Sequence, residues 1–187
     1  WFGEGDLVTP DFICEAAARG LRAGETFYTW QRGLPEFRSA VAAYTERLYG
    51  IDCKPDRISL TTGGMQAILL CCQLLLDPGD NIVIVSPIWP NISSATKLCR
   101  GVPRYVALDR QKDGSWKLDL QKVFDAVDDR TRAIFVNSPG NPTGWTMSSA
   151  RASRATAAAR SCDPEGGRRP ADSGIGSTTK PSTTSNA

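Results

Sequence analysis

Along the first 150 positions, apolar residues recur with two different periods, broken by glycine and proline. Thr9 and Pro10 read as a helix cap and first-turn proline, with Gly24 as the stop. A second helix is predicted over 35–49. Leu34, Phe37, Val41, Tyr44 and Leu48 form its stripe, and Gly50 ends it. A short strand is predicted over 57–61, and Thr62-Gly63-Gly64 leads straight into an apolar helix over 65–76. The turn Asp77-Pro78-Gly79-Asp80 precedes a buried strand at 82–86, then Pro87 and a helix near 91–99. Further along come a strand at 103–108, a helix at 118–127 and a strand at 132–137. That last strand runs into Ser138-Pro139-Gly140-Asn141-Pro142-Thr143-Gly144.

Strands of about five residues separated by helices predict parallel β/α units with right-handed crossovers. The fold class is therefore α/β with a mostly parallel sheet. Such sheets bind ligands beyond the carboxyl ends of their strands. Three distinctive segments fall there: Thr62-Gly63-Gly64, the stretch from Ser86 to Trp89, and the loop at 138–144.

The pattern stops near Ala150. From there Ala, Arg, Ser, Thr, Gly and Pro dominate, and Ile175 is the sole large aliphatic residue. Such a segment buries too little apolar surface to offset its ordering entropy, so a disordered C-terminal tail is expected. Its alanines leave 152–160 room for transient helix. Residues 1–150 carry 16 basic and 17 acidic side chains, against 6 and 3 in 151–187. The net charge of +2 thus belongs to the tail. With no basic stripe interleaved with aromatics, no nucleic-acid partner is expected.

The remaining composition narrows the chemistry. There is no histidine, and the six cysteines form no C-x-x-C pair. That speaks against a metal site and against cysteine–histidine or serine–histidine catalysis. Cys71 and Cys72 lie in an apolar stretch and read as buried thiols in a reducing, cytoplasmic compartment. No apolar run is long enough to span a bilayer, so no membrane partner is expected. The chain begins with Trp1 rather than Met, which suggests that its numbering starts inside a longer protein.

Each of the three loops has a bland reading and a chemical one. Gly63 and Gly64 would let the backbone approach an anion at a helix start, where free N–H groups and the dipole attract phosphate. Equally, they are a glycine turn between strand and helix. Neither a Walker loop nor a G-x-G-x-x-G pattern is present. Trp89, just past a strand end, could stack on a flat heteroaromatic ring or simply be a core indole. The Asn141 amide could donate to an oxyanion or sit in a plain turn.

Taken in order, these segments resemble the class I/II, fold-type-I aminotransferases that depend on pyridoxal 5'-phosphate (PLP). The resemblance rests on Asn141-Pro142-Thr143-Gly144, Thr62-Gly63-Gly64-Met65-Gln66-Ala67, Asp77-Pro78-Gly79-Asp80 and Ser86-Pro87-Ile88-Trp89. Tyr28 ahead of Gly33-Leu34-Pro35-Glu36-Phe37-Arg38, and Gly3-Glu4-Gly5-Asp6 before Thr9-Pro10, add to it. It runs from about Trp1 to Ser149 and implies part of a three-layer fold. Residues 1–33 would be a small-domain and dimer-arm segment, 34–149 a partial PLP-binding large domain, and 150–187 an unrelated tail.

The resemblance also implies roles. Backbone amides of Gly63, Gly64 and Met65 would meet the PLP phosphate, and Trp89 would stack on the ring. Asn141 would donate to the ring's phenolic oxygen and help hold the substrate carboxylate, whose pocket Gly3 would line. Tyr28 would reach the phosphate of a partner subunit, which implies a homodimer. The substrates would be an amino acid and a 2-oxo acid, and the cofactor the electron sink. A carbon–sulfur lyase or other eliminating enzyme on the same scaffold, and a non-catalytic remnant, are the alternatives.

The family's features beyond Asn-Pro-Thr-Gly are missing here. The aspartate for the pyridinium nitrogen, a nearby tyrosine, the Schiff-base lysine and the carboxylate-binding arginine would all lie where this chain has its tail. Lys180 is read in the context Thr178-Thr179-Lys180-Pro181 rather than Ser-x-x-Lys, and is therefore not given the lysine role. The chain is therefore expected to be inactive. In the family, later strands also separate the one matching 57–61 from those matching 82–86 and 132–137. Exposed sheet edges and aggregation are expected in consequence.

The tail's composition is typical of GC-rich coding sequence read out of frame, and its onset falls inside a β/α unit, not at a domain boundary. A frameshift near codon 150 is the hypothesis. Reading the downstream DNA in the other two frames should restore an amphipathic helix, a strand with Asp and Tyr, then Ser-x-x-Lys. Should neither frame do so, while mass spectrometry finds the tail in the native protein, the tail is an evolved extension.

Overall fold

The computed structural model describes residues 5–148 and Ser153, which fall into two compact units, one up to Thr62 and one from Gly63 onward. Gly3 and, Ser153 apart, the tail expected from residue 150 lie outside the described residues.

The first unit holds α1 (Asp11–Arg22), α2 (Pro35–Tyr49) and a single 3-10 turn, Pro55–Arg57. Asp11 opens α1 while Arg19 and Arg22 close it, so both ends suit the helix dipole. Pro35 starts α2, and Gly50 ends it in the left-handed conformation at φ 67°. The stripe predicted on α2 is only partly covered. Val41 and Leu48 are half-buried, whereas Leu34, Phe37 and Tyr44 are exposed and Ala42 is the helix's one buried residue. An amphipathic stripe is buried only where another apolar layer covers it. In this unit the 3-10 turn is the element packed on α2, and Arg38 reaches it to donate to the Pro55 carbonyl at 3.4 Å.

The strand predicted at 57–61 does not form. The chain is extended at Ile58, but an extended segment becomes a strand only beside a partner, and the described part of this unit holds none. The Leu60 N–H donates instead to the Arg32 carbonyl at 3.0 Å. Gly33 permits that approach. Its φ is +89°, and a Cβ there would come within 2.6 Å of the Leu60 side chain.

The second unit is a three-layer α/β arrangement. Its elements are α3 (Gly64–Leu75), β1 (Asn81–Ser86), α4 (Asn91–Leu98), β2 (Val102–Ala107), β3 (Asp109–Arg110), β4 (Trp116–Lys117), α5 (Leu120–Asp125) and β5 (Thr131–Phe135). The main sheet has the order β2-β1-β5 and is parallel throughout. Alternate side chains of β1 enter different cores. Val83 and Val85 meet Val106, Leu118, Val123 and Trp145 on one face. Ile82 and Ile84 meet Cys72 and Leu76 of the α3 end and Ile92 and Ala95 of α4 on the other. This double burial explains why 82–85 is a continuous apolar run. Among the described residues, no strand pairs with the outer edge of β2 or of β5. No helix among them is long and apolar enough to cross a membrane.

Helix α3 is apolar except for Gln66 and Gln73, which are seven residues apart and share a face. Cys72 is buried, yet Leu70 is exposed and Leu74 is 79% exposed on the opposite side. The antiparallel pair of β3 and β4 was absent from the sequence pattern, although Asp113-Gly114 is a hairpin signal. That hairpin shortens the predicted helix at 118–127. Leu118 is buried ahead of it, and Asp119 caps α5 by accepting the Gln121 N–H at 2.9 Å.

A polar network closes the amino-terminal end of the sheet. The register of β1 against β5 skips Arg132, since Asn81 pairs with Thr131 and Ile82 with Ala133. Arg132 Nε donates to Asp80 Oδ2 at 3.0 Å, as does the Asp77 N–H. Asn81 donates to Asp128 at 2.8 Å, the Thr131 hydroxyl donates to Asn81 at 2.8 Å, and Arg104 pairs with Asp128. Burial alone would raise the Asp80 pKa, but the Asp77 N–H and the Arg132 and Arg130 guanidinium groups outweigh it and hold the carboxyl below its ordinary value. A depressed carboxyl stabilises the fold above its unfolded pKa of about 3.9, and that contribution is lost as pH falls through the lower folded value. The acid limb of the urea midpoint should therefore begin below about pH 4 and be shallower in Asp80→Asn. That variant should also lose about 1–3 kcal/mol at neutral pH. An unchanged acid limb would remove Asp80 from the account.

Candidate functional site

The opposite, carboxyl-terminal end of the sheet collects the three loops singled out in the sequence. Helix α3 is joined to β1 by the turn at 77–80, so the two run in opposite directions. Twelve helical residues span about 18 Å and six strand residues about 20 Å. The start of α3 therefore lies at the end where β1 finishes. Pro87, Ile88 and Trp89 leave β1 there, and residues 136–144 leave β5 there.

Gly63 stands at the cap of α3, and Gly64 and Met65 are its first two residues. The cap residue, a glycine, has no side chain to cap with, and the first turn holds no acidic residue. The Gln66 and Ala67 N–H groups turn back to the Gly63 carbonyl at 3.1 and 3.3 Å. A Cβ built on Gly63 or on Gly64 would meet no atom within 4 Å. Packing does not demand glycine at either position. The open space beside a helix start suits an incoming anion.

Ile88 packs into the core shared by α3 and α4, which leaves Trp89 half-buried at the rim. The Trp89 N–H donates to the Asn141 carbonyl at 2.9 Å. Two of the three predicted segments thus share a main-chain hydrogen bond. The Asn141 side chain is exposed. With the Asn137 amide turned to satisfy both its ends, it accepts the Asn141 N–H at 3.1 Å and donates to the Pro139 carbonyl at 3.2 Å. The Gly140 N–H donates to the Trp145 carbonyl at 2.8 Å, and the Gly144 N–H to the Gly140 carbonyl at 2.7 Å. Gly140 is needed where it stands, since a Cβ would come within 3.0 Å of Thr143 Oγ1 and 3.3 Å of the Asn137 carbonyl. The peptide bonds before Pro87, Pro139 and Pro142 are all cis.

Tyr28 is fully exposed, in the loop between α1 and α2 of the first unit. Asn137 and Trp145, which help build the Asn141 loop, were not singled out in the sequence, and Ser138 was named only as the first residue of that loop. The signal available was a tryptophan placed directly after a turn. No group of three or more metal-ligating side chains that could hold an ion occurs among the described residues.

Lysine needs a correction. Ser-x-x-Lys occurs as bare spelling at Ser94–Lys97 and at Ser177–Lys180. Lys97 is exposed in the last turn of α4, a helix that runs from the loop end of β1 back toward the start of β2, so it points to the wrong end of the sheet. Lys180 lies outside the described residues.

The chain belongs to the aminotransferase class I and II family, whose model matches residues 2–159. It is 39% identical over 142 residues to a probable aspartate/prephenate aminotransferase of Aquifex aeolicus, covering 76% of this chain and 36% of that protein. It is 36% identical over 148 residues to an aspartate aminotransferase of Rhizobium meliloti, covering 79% and 36%. Among solved structures, aspartate aminotransferase from Rhizobium meliloti aligns with TM-score 0.77 at 32% identity, over 84% of this chain and 39% of that one. N-Succinyldiaminopimelate aminotransferase from Mycobacterium tuberculosis aligns with TM-score 0.79 at 28% identity, over 85% and 42%. The chain thus spans little more than a third of the length of these relatives.

If the start of α3 receives an anion, Gly64→Val should leave the fold intact, because its side chain meets open space, yet weaken inorganic phosphate about tenfold by shielding the N–H groups. Phosphorus NMR titration of both proteins reads this directly. Equal affinity would mean that the anion, if bound, sits elsewhere.

Proposed function

We propose that the protein from which this chain derives is a homodimeric PLP-dependent aminotransferase that moves an amino group between an amino acid and a 2-oxo acid. The observation that carries the reading is the Trp89–Asn141 hydrogen bond, which joins the tryptophan loop to the Asn-Pro-Thr-Gly loop at the end of the sheet where the glycine start of α3 lies. The residues fit the cofactor in character. Gly63, Gly64 and Met65 offer N–H groups to its phosphate, Trp89 an indole face to its ring, and Asn141 an amide to its phenolic oxygen and to the substrate carboxylate. Gly3 is assigned to the carboxylate pocket. Tyr28, exposed in this chain, is assigned to the phosphate of a partner subunit. Bound PLP supplies an electron sink for the substrate's α-carbon.

On this reading residues 1–33 belong to the small domain and dimer arm, and 34–149 to the PLP-binding domain. A cytoplasmic setting is supported by the five described cysteines, all of them unpaired. The proton at the α-carbon needs a lysine base, which we assign to the missing part of the parent. The 187-residue chain should then give no amino-acid-dependent 2-oxo acid, and borohydride treatment with PLP should trap no stoichiometric lysine adduct. Turnover by the purified chain that Lys180→Ala abolishes would overturn this. Failure of the intact parent to bind PLP would end the aminotransferase reading.

A further inference from the structure

We propose that Trp145 is a positioning residue for Asn141, acting as the anchor of a clasp that fixes the Asn-Pro-Thr-Gly loop; this rests on the assignment of Asn141 to the cofactor ring and substrate carboxylate. The clasp has three closures. The Trp145 carbonyl takes the Gly140 N–H at 2.8 Å, Thr143 Oγ1 takes the Trp145 N–H at 3.2 Å, and Ser138 Oγ takes the Met147 N–H at 2.8 Å. Two of the three run through the main chain of Trp145. Trp145 is 8% exposed and sits among Val83, Val85, Leu118 and Val123, so the clasp is pinned to the central strand and to α5. The loop is polar and largely exposed, so its own bonds compete with water and hold little alone. Burying one large ring beneath it supplies the missing rigidity. The effect passes on to Trp89, whose N–H is bonded to the Asn141 carbonyl. Both predicted ring contacts are then set by a side chain that faces the core.

Amide hydrogen exchange on the full 187-residue chain tests this without any ligand. In Trp145→Ala the Trp89 amide should exchange about tenfold faster or more, while the Ile84 amide at the centre of β1 stays as in the wild type. Trp145→Phe should restore most of the Trp89 protection. Equal acceleration at Trp89 and Ile84 would make Trp145 an ordinary core residue, and unchanged exchange at Trp89 would remove its link to the loop; either overturns the proposal. If the alanine variant does not fold, Trp145→Leu, which keeps apolar volume without the ring, is read at the same two amides with the same outcomes. A second arm compares ligands. The folded variant should bind PLP about tenfold more weakly while inorganic phosphate, held at α3, is unaffected. Parallel weakening of both would again indicate a general packing defect. The two amides decide the clasp whether or not the wild-type chain binds PLP, whereas the functional reading falls only if the intact parent fails to bind it.

Discussion

A single strand without a solvent face organises the larger unit. β1 has neighbours on both edges and side chains committed to two separate cores, Val83 and Val85 to one and Ile82 and Ile84 to the other. Interiors pack closely, so a strand held on four sides has little freedom to slide. The register, the direction of α3 and the starting points of the loops all depend on it. A slip of one residue would exchange the valine and isoleucine sets between cores of different shape.

The two ends of that sheet use opposite chemistry. At the amino-terminal end the buried Asp80 and the nearby Asp128 find partners inside the protein. Asp80 is bonded to Arg132 and Asp77, and Asp128 to Asn81 and Arg104. At the carboxyl-terminal end the chain supplies glycines at a helix start and an exposed amide. The first end is built from charged side chains bonded to one another, the second from small and neutral residues around a helix start. Rigidity at the first end allows the second to remain open without losing its geometry.

Much of this was legible in the sequence, for physical reasons that vary by segment. The run at 82–85 and the helix at 35–49 were plain because hydrophobic period and stop signals agreed. The segment at 57–61 misled because strand propensity describes a residue's readiness to pair, and the described residues hold no partner for it. The stripe on α2 was real as a pattern, but Phe37 and Tyr44 find no second layer in their unit. The hairpin at 109–117 was missed because two-residue strands carry no measurable alternation. At the site, Gly63, Gly64, Trp89 and Asn141 were recognisable as residue types suited to an anion and a flat ring. The supports were not. Trp145 acts through its main chain and Ser138 through a hydroxyl that accepts a distant N–H, and spacing alone does not reveal which acceptor meets which N–H.

The strand order β2-β1-β5 also fixes a timetable. β1 acquires its first neighbour about twenty residues after it is made, and its second only once Thr131–Phe135 has been translated. At roughly 5–20 residues per second, the other edge of the most apolar strand stays unpaired for seconds on the ribosome. The stretch that separates the two pairings, with the hairpin and α5 in it, therefore sets how long a nascent chain must be kept from its neighbours.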